Sequence, residues 1–179
     1  GFAAGAWAEA FATGRSVVPA LIATGRVAVV ERWLALLPAE RAAGSADALL
    51  WQALVFARRG RNDEAWPKLE AARAAFAAAG EHGGELRAIV RLAGLALVRG
   101  DEEVHSQLVR EAEGYLESGG AAEVADLHLM RAFAADRVGD LAGMGASNQA
   151  VLALPVVDAD VAACRAIALI NLFTWHQHR

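Results

Sequence analysis

The chain has 179 residues, 56% of them hydrophobic, and a net charge of −4 from 17 basic and 21 acidic side chains. The charges are interspersed without a stripe of Lys or Arg, which excludes the phosphate-tracking surface of a nucleic-acid binder. No window offers the ~18 uncharged apolar residues of a membrane span, and the single cysteine, Cys164, excludes an intrachain disulfide framework and fits a reducing, cytoplasmic compartment.

Alanine-rich stretches punctuated by glycine make the expected class all-α, because alanine has the best helix propensity. Ala6 to about Thr24 is helical in pattern, with interruptions at Gly14 and Pro19. Ser16 would cap a second segment there and set Pro19 in its first turn, where a missing N–H matters little. Val27 to Leu37 follows, with Val30, Trp33, Leu34 and Leu37 on one face, and Pro38 stops it. Ser45 is a good N-cap for a helix over Ala46 to Arg59 with apolar Leu49, Leu50, Ala53 and Phe56. Asn62 would cap the next, whose first turn carries Asp63 and Glu64 as the helix dipole prefers. Pro67 predicts a mild kink in it. That helix runs to about Ala79, and Gly80 to Gly84 reads as a loop.

Glu85 to Arg99 and Asp101 to about Glu117 are the next two helices, closed by Ser118-Gly119-Gly120. Ala121 to Val138 and Leu141 to about Leu154 follow, the second weakened by Gly143 and Gly145. Pro155 to Ala159 is a loop with Asp158 as the expected cap. Val161 to His178 is the last helix.

Between these elements one turn returns. Gly25-Arg26, Gly60-Arg61, Gly100-Asp101 and Gly139-Asp140 each close one helix and open another, at spacings of 35, 40 and 39 residues. A period in this range is the mark of a helical-repeat array. The predicted architecture is an α-solenoid of antiparallel helical hairpins in a right-handed superhelix, with 1–179 as one domain. The next turn falls near position 180, so the last helix lacks its partner and leaves an apolar face open, a route to a homodimer. With Gly1 in place of an initiator methionine, the expectation is a piece of a longer multidomain protein, cut within a repeat near residue 179.

Ala65 and Ala72 after the turn, and Ala53 and Phe56 before it, match small and aromatic positions of the tetratricopeptide motif, which the repeat resembles. Ala93 and Ala112 match in the next repeat, with His105 where alanine is usual. Asn171-Leu172 matches an Asn-Leu pair in the last helix. Over the first 75 residues a second likeness stands on Gly5-Ala6-Trp7, Pro19-Ala20-Leu21, Trp33-Leu34-Ala35-Leu36-Leu37-Pro38 and Leu54 through Gly60-Arg61-Asn62-Asp63-Glu64-Ala65-Trp66-Pro67. This stretch resembles the start of the solenoid in MalT/LuxR-type ATP-dependent transcriptional regulators. The resemblance implies a sensor region that binds an inducer or an inhibitory protein and controls self-association. The sequence carries neither the phosphate-loop pattern nor a basic recognition helix, so ATP hydrolysis and DNA binding would belong to other domains, and no cofactor is expected here.

The tetratricopeptide likeness also implies a concave groove lined by Asp47, Leu50 and Arg58, then Arg87, then Asp126, Phe133 and Arg137, then Thr174. Arginines beside an aromatic suit a carboxylate, a phosphate or an acidic peptide; the competing reading is a solvated face of paired charges. Arg91 and Asn171 interrupt apolar faces and should form either hydrogen bonds between repeats or groove contacts. Chemistry is otherwise sparse. Cys164 reads as a buried small hydrophobe. His176 and His178, two apart on a helix, do not share a face for a metal, and His82 and His128 lack ligand spacing. Asp101-Glu102-Glu103 reads as a helix start. Trp33 reads as core, and Trp175 as a residue at the open end. The expected activity is therefore binding rather than catalysis: an effector- or partner-binding segment of a transcriptional regulator, or else a tetratricopeptide scaffold unrelated to transcription.

Overall fold

The computed structural model describes residues 4–117, 119–157 and 159–177. Among them all regular structure is helical: α1 (Ala4–Ala23), α2 (Val27–Ala35), α3 (Ala39–Gly44), α4 (Ala46–Arg58), α5 (Asn62–Ala78), α6 (His82–Arg99), α7 (Glu102–Glu113), α8 (Ala121–Arg137), α9 (Leu141–Ala153) and α10 (Ala159–Gln177). No helix among the described residues is long and apolar enough to cross a membrane. The helices fall into two compact units that divide after Ala79.

The recurring glycines of the sequence are one recurring piece of geometry. Gly25, Gly60, Gly100 and Gly139 lie in the left-handed region at φ 75°, 73°, 74° and 73°. The N–H after each glycine reaches back to the carbonyl five residues earlier: Arg26 to Leu21 at 2.8 Å, Arg61 to Phe56 at 2.9 Å, Asp101 to Ala96 at 3.0 Å and Asp140 to Ala135 at 2.9 Å. This is the Schellman stop, in which a residue without Cβ takes the left-handed conformation so that the last carbonyls of the helix find donors. The following helix then starts on an acid where one is present. Asp101 accepts from the Val104 N–H at 3.1 Å and Asp140 from the Gly143 N–H at 2.9 Å, the helix-start role expected for Asp101.

In the first unit α1 is unbroken through Gly14 and Pro19, contrary to the two segments expected. The Ser16 hydroxyl donates back to the Thr13 carbonyl at 2.8 Å instead of capping a new helix. Tertiary packing explains the continuity. A Cβ on Gly14 would lie 2.5 Å from a ring carbon of Trp51 and 2.7 Å from one of Trp33. The two indoles rest on bare helix backbone, and their burial outweighs the weak local propensity. The core here joins Val18, Ile22, Val27, Val30, Trp51 and Val55, with Phe11, Leu21, Trp33, Leu34 and Leu54 packed against it. Trp51 is fully buried, whereas Trp33, expected in the core, is half-buried at its edge. A short α3 follows Pro38 that the sequence did not suggest. Ser45 caps α4 as expected, accepting from the Ala48 N–H at 3.3 Å. Asn62 is not a cap: it is the first helical residue of α5, and Arg61 holds the cap position while its guanidinium pairs with Glu64. Helix α5 continues through Pro67 and buries Ala65, Leu69, Ala72 and Phe76.

In the second unit the expected loop from Gly80 to Gly84 shrinks to a turn at Gly80 and Glu81, because α6 begins at His82. Gly143 and Gly145 do not break α9. The Asp140 carboxylate lies so close to Gly143 that a Cβ there would sit 2.2 Å from it. Cys164 is buried as a small apolar residue, in a cluster with Ala125, Leu129, Val151 and Ala168. Helix α8 packs on α6, α7 and α9, and α10 packs on α8 and α9. The outer side of α10 leaves Ile167, Leu169, Ile170 and Phe173 exposed. The expected cap Asp158 and the terminal His178 lie outside the described residues.

Candidate functional site

Helix periodicity places Arg87 and Arg91 one turn apart on α6, and Glu123 and Asp126 one turn apart on α8. The two pairs meet. Arg87 Nε stands 2.7 Å from Glu123 Oε1, and Arg91 Nη2 stands 2.7 Å from Asp126 Oδ2. The carboxylates are the more enclosed partners, at 13% and 19% side-chain exposure. The second Asp126 oxygen accepts from the Cys164 thiol of α10 at 3.4 Å. One aspartate therefore ties α6, α8 and α10 together. Arg137 of α8 donates to Glu102 of α7. Of the groove arginines expected to await an anion, Arg87 and Arg137 are thus occupied by carboxylates of this chain. Arg91 and Asn171 take the first of their two expected roles, since Asn171 Nδ2 donates to Asn148 Oδ1 of α9 at 3.2 Å.

The remaining groove positions scatter. Leu50 is not a surface contact but core, at 1% exposure, because its face of α4 carries the apolar periodicity. Phe133 is half-buried against the cluster around Cys164. Arg58 is exposed and, among the described residues, has no ion-pair partner. Thr174 lies outside the residues whose side chains are described. Asp47 is buried at the start of α4, where Arg15 of α1 meets its Oδ2 at 2.8 Å. Its Oδ1 is enclosed without a hydrogen-bond partner, which leaves an acceptor for a small donor such as water.

The chain's polar interior is a second missed feature. His105 of α7, where the motif favours alanine, is 1% exposed. Its Nδ1 lies 2.9 Å from the Ala93 carbonyl of α6 and its Nε2 lies 3.3 Å from the Met130 carbonyl of α8. Which ring nitrogen donates depends on the tautomer. The His128 imidazole is held below the usual histidine range, by burial first and then by the Arg131 charge.

Space for a small molecule lies elsewhere, within the first unit. Glu9, Thr13, Gly14, Val17 and Leu21 of α1 face Val29, Val30 and Trp33 of α2 around a cavity of about 530 Å³. That is the size and apolar character of small-molecule sites. Val17 and Val29 are 44% and 40% exposed at its mouth, and Glu9 and Thr13 supply polar groups. The sequence did not point there because Gly14 reads as a break. Its useful signal was the combination of that glycine with Trp33 and Trp51, whose rings need a helix surface without Cβ. A smaller polar cleft of about 270 Å³ lies against α7, α8 and α9, with Arg110, Arg131, Glu113 and Asp140 among its walls. Among the described residues no group of three or more His, Cys, Asp or Glu side chains is arranged to hold a metal ion.

No protein-family model and no curated protein matches this chain.

Proposed function

We propose that this chain is a ligand- or partner-binding helical-repeat segment, a solenoid of tetratricopeptide-like hairpins, that works as the sensor part of a bacterial transcriptional regulator. The supporting observation is the fourfold return of the same left-handed glycine turn with the same backward hydrogen bond. Repeats of one supersecondary unit build surfaces for recognition. In this reading the segment binds an effector and couples that binding to the association of neighbouring domains. It carries no cofactor and turns over no substrate. The apolar cavity between α1 and α2 is the place for the effector, and its lining selects a molecule with an apolar body and one polar group near Glu9 and Thr13. The link to transcription rests on the sequence likeness of the first 75 residues to MalT/LuxR-type regulators.

A second reading, a tetratricopeptide scaffold unrelated to transcription, is favoured by the mutual neutralisation of Arg87, Arg91, Glu123 and Asp126. A groove already neutral suits a peptide bound by shape better than a small anion.

A thermal-shift screen separates the two. Sugars, nucleotides, acyl and amino-acid metabolites and short peptides are added to the protein and to Val17→Arg, which plugs the cavity mouth. A selective rise of several degrees with one small-molecule class, lost in Val17→Arg, supports the sensor. A rise with peptides alone supports the scaffold, and a small-molecule rise that survives the plug removes the cavity from the account.

A further inference from the structure

The helices after each turn glycine share one buried pattern. The residues five, nine and twelve positions beyond the glycine are Ala65, Leu69 and Ala72 in α5, His105, Val109 and Ala112 in α7, and Met144, Asn148 and Val151 in α9, all buried. Helix α2 follows it with Val30 buried and Leu34 packed against the same cluster, and Leu37, two residues past its end, is buried as well. This spacing of four and three is one stripe of a helix.

Three of the four helices before the turns, α4, α6 and α8, share a pattern too, and α10 begins it. Ala48 of α4, Ala88 of α6, Leu127 of α8 and Ala168 of α10 are each at most 1% exposed. The residue five on is Ala53, Ala93 or Ala132 in the first three, each 1% exposed. The residue one on is Leu49 at 7%, Ile89 at 0% or the half-buried His128. In α10 the same two positions hold Leu169 and Phe173, at 57% and 66% exposure. Helix α8 packs on α6 and α7 before it and on α9 after it; α10 repeats the first half of that arrangement against α8 and α9.

We infer that the outer face of α10 is a docking surface for one amphipathic helix of the pattern shared by α2, α5, α7 and α9, with apolar side chains at spacings of four and three. This continues an interface the chain already makes between α4 and α5, α6 and α7, and α8 and α9. Phe173 stands where the other helices have alanine, so the incoming helix presents a small residue opposite it. The inference rests on the repeat reading proposed above, but not on the cavity or on any effector.

The probe is a synthetic peptide of the α5 sequence, 62–78, titrated into the full 179-residue protein, with a scrambled peptide as control. Saturable binding is expected, with at least tenfold slower amide exchange along α10. Phe173→Asp or Leu169→Asp, both at exposed sites, should weaken binding at least tenfold, while Val98→Asp on exposed α6 surface should not. To remove the dilution of a free peptide, the same helix is also joined after Arg179 through a Gly-Asp turn. An unchanged α10 exchange rate in this tethered protein overturns the proposal. So does self-association that Phe173→Asp abolishes and the peptide does not compete, which would make a second copy the occupant. Failure of the effector screen with success here would sink the sensor reading alone, since the present test reads α10 and no effector.

Discussion

The two units use the same turn and fill their interiors differently. The first has a ring cluster at its centre, beside an ion pair between Arg15 of α1 and the buried Asp47 of α4. Phe11 stacks on Trp51 at 5.6 Å and 19°, Trp33 lies 5.0 Å from Trp51, and Phe11 meets Trp33 edge-on at 6.3 Å and 61°. The second places aliphatic side chains and alanines between helices and joins those helices with polar groups: Arg87 to Glu123, Arg91 to Asp126, Asn171 to Asn148, and His105 between two carbonyls. Aromatic packing tolerates lost detail but not lost volume. Polar bridges fail when one partner is removed, because the other is left desolvated. The same glycine turn thus serves two units with different vulnerabilities.

The sharpest break of this comparison is Trp51→Ala. It removes the centre of the ring cluster and should cost ~4 kcal/mol in a chemical-denaturation titration. Trp33→Ala should cost about half as much, because that indole is half-buried and the area it removes from water is smaller. Equal losses for the two would contradict the placement of Trp51 at the centre. In the second unit His105→Ala is the counterpart. It opens a cavity and deletes the polar contact of the α7 imidazole with the Ala93 and Met130 carbonyls, with an expected loss of ~2–3 kcal/mol. If His105→Leu restores full stability, volume rather than hydrogen bonding holds that position.

Gly100→Ala tests the element the units share. No atom lies within 4 Å of the would-be Cβ, so the only penalty is the left-handed backbone at φ 74°. The expected cost is ~1 kcal/mol by denaturant midpoint. This part of the fold was legible in the sequence, since glycine at a fixed period followed by Arg or Asp states both a stop and a restart. What was not legible were features decided at long range. Gly14 looks like a break until two tryptophans, 19 and 37 residues later, pack on it. Arg87 and Arg137 look available until their carboxylate partners arrive from sequence positions 36 and 35 residues away. The groove positions were inferred from a motif that specifies which way a helix faces but not which neighbour neutralises it.

Ion pairs sharpen the contrast within the second unit. Glu123→Ala removes an enclosed carboxylate and leaves Arg87 unpaired at 30% exposure; a loss of ~1–2 kcal/mol is expected. Glu102→Ala removes a carboxylate 62% exposed, and surface pairs of that kind contribute ~0.5 kcal/mol or less. A double-mutant cycle with Arg87→Ala and Arg137→Ala reads the two coupling energies directly, and similar values would show that enclosure does not set their strength.

The smallest expected effect is a pH dependence at His128. Burial and the Arg131 charge lower its folded-state pKa, so the folded protein resists protonation where the unfolded chain accepts it at about the ordinary value of 6.5. The unfolded state then binds more protons, and stability rises with pH through that range. The contribution is fully present above the unfolded pKa and is lost as pH falls from there toward the depressed folded value. His128→Gln should therefore flatten part of the decline in melting temperature between neutral and mildly acidic pH, while leaving the value above neutrality little changed. A variant whose acid-side slope is as steep as the parent's assigns that slope to other groups and leaves the desolvation of His128 without thermodynamic consequence.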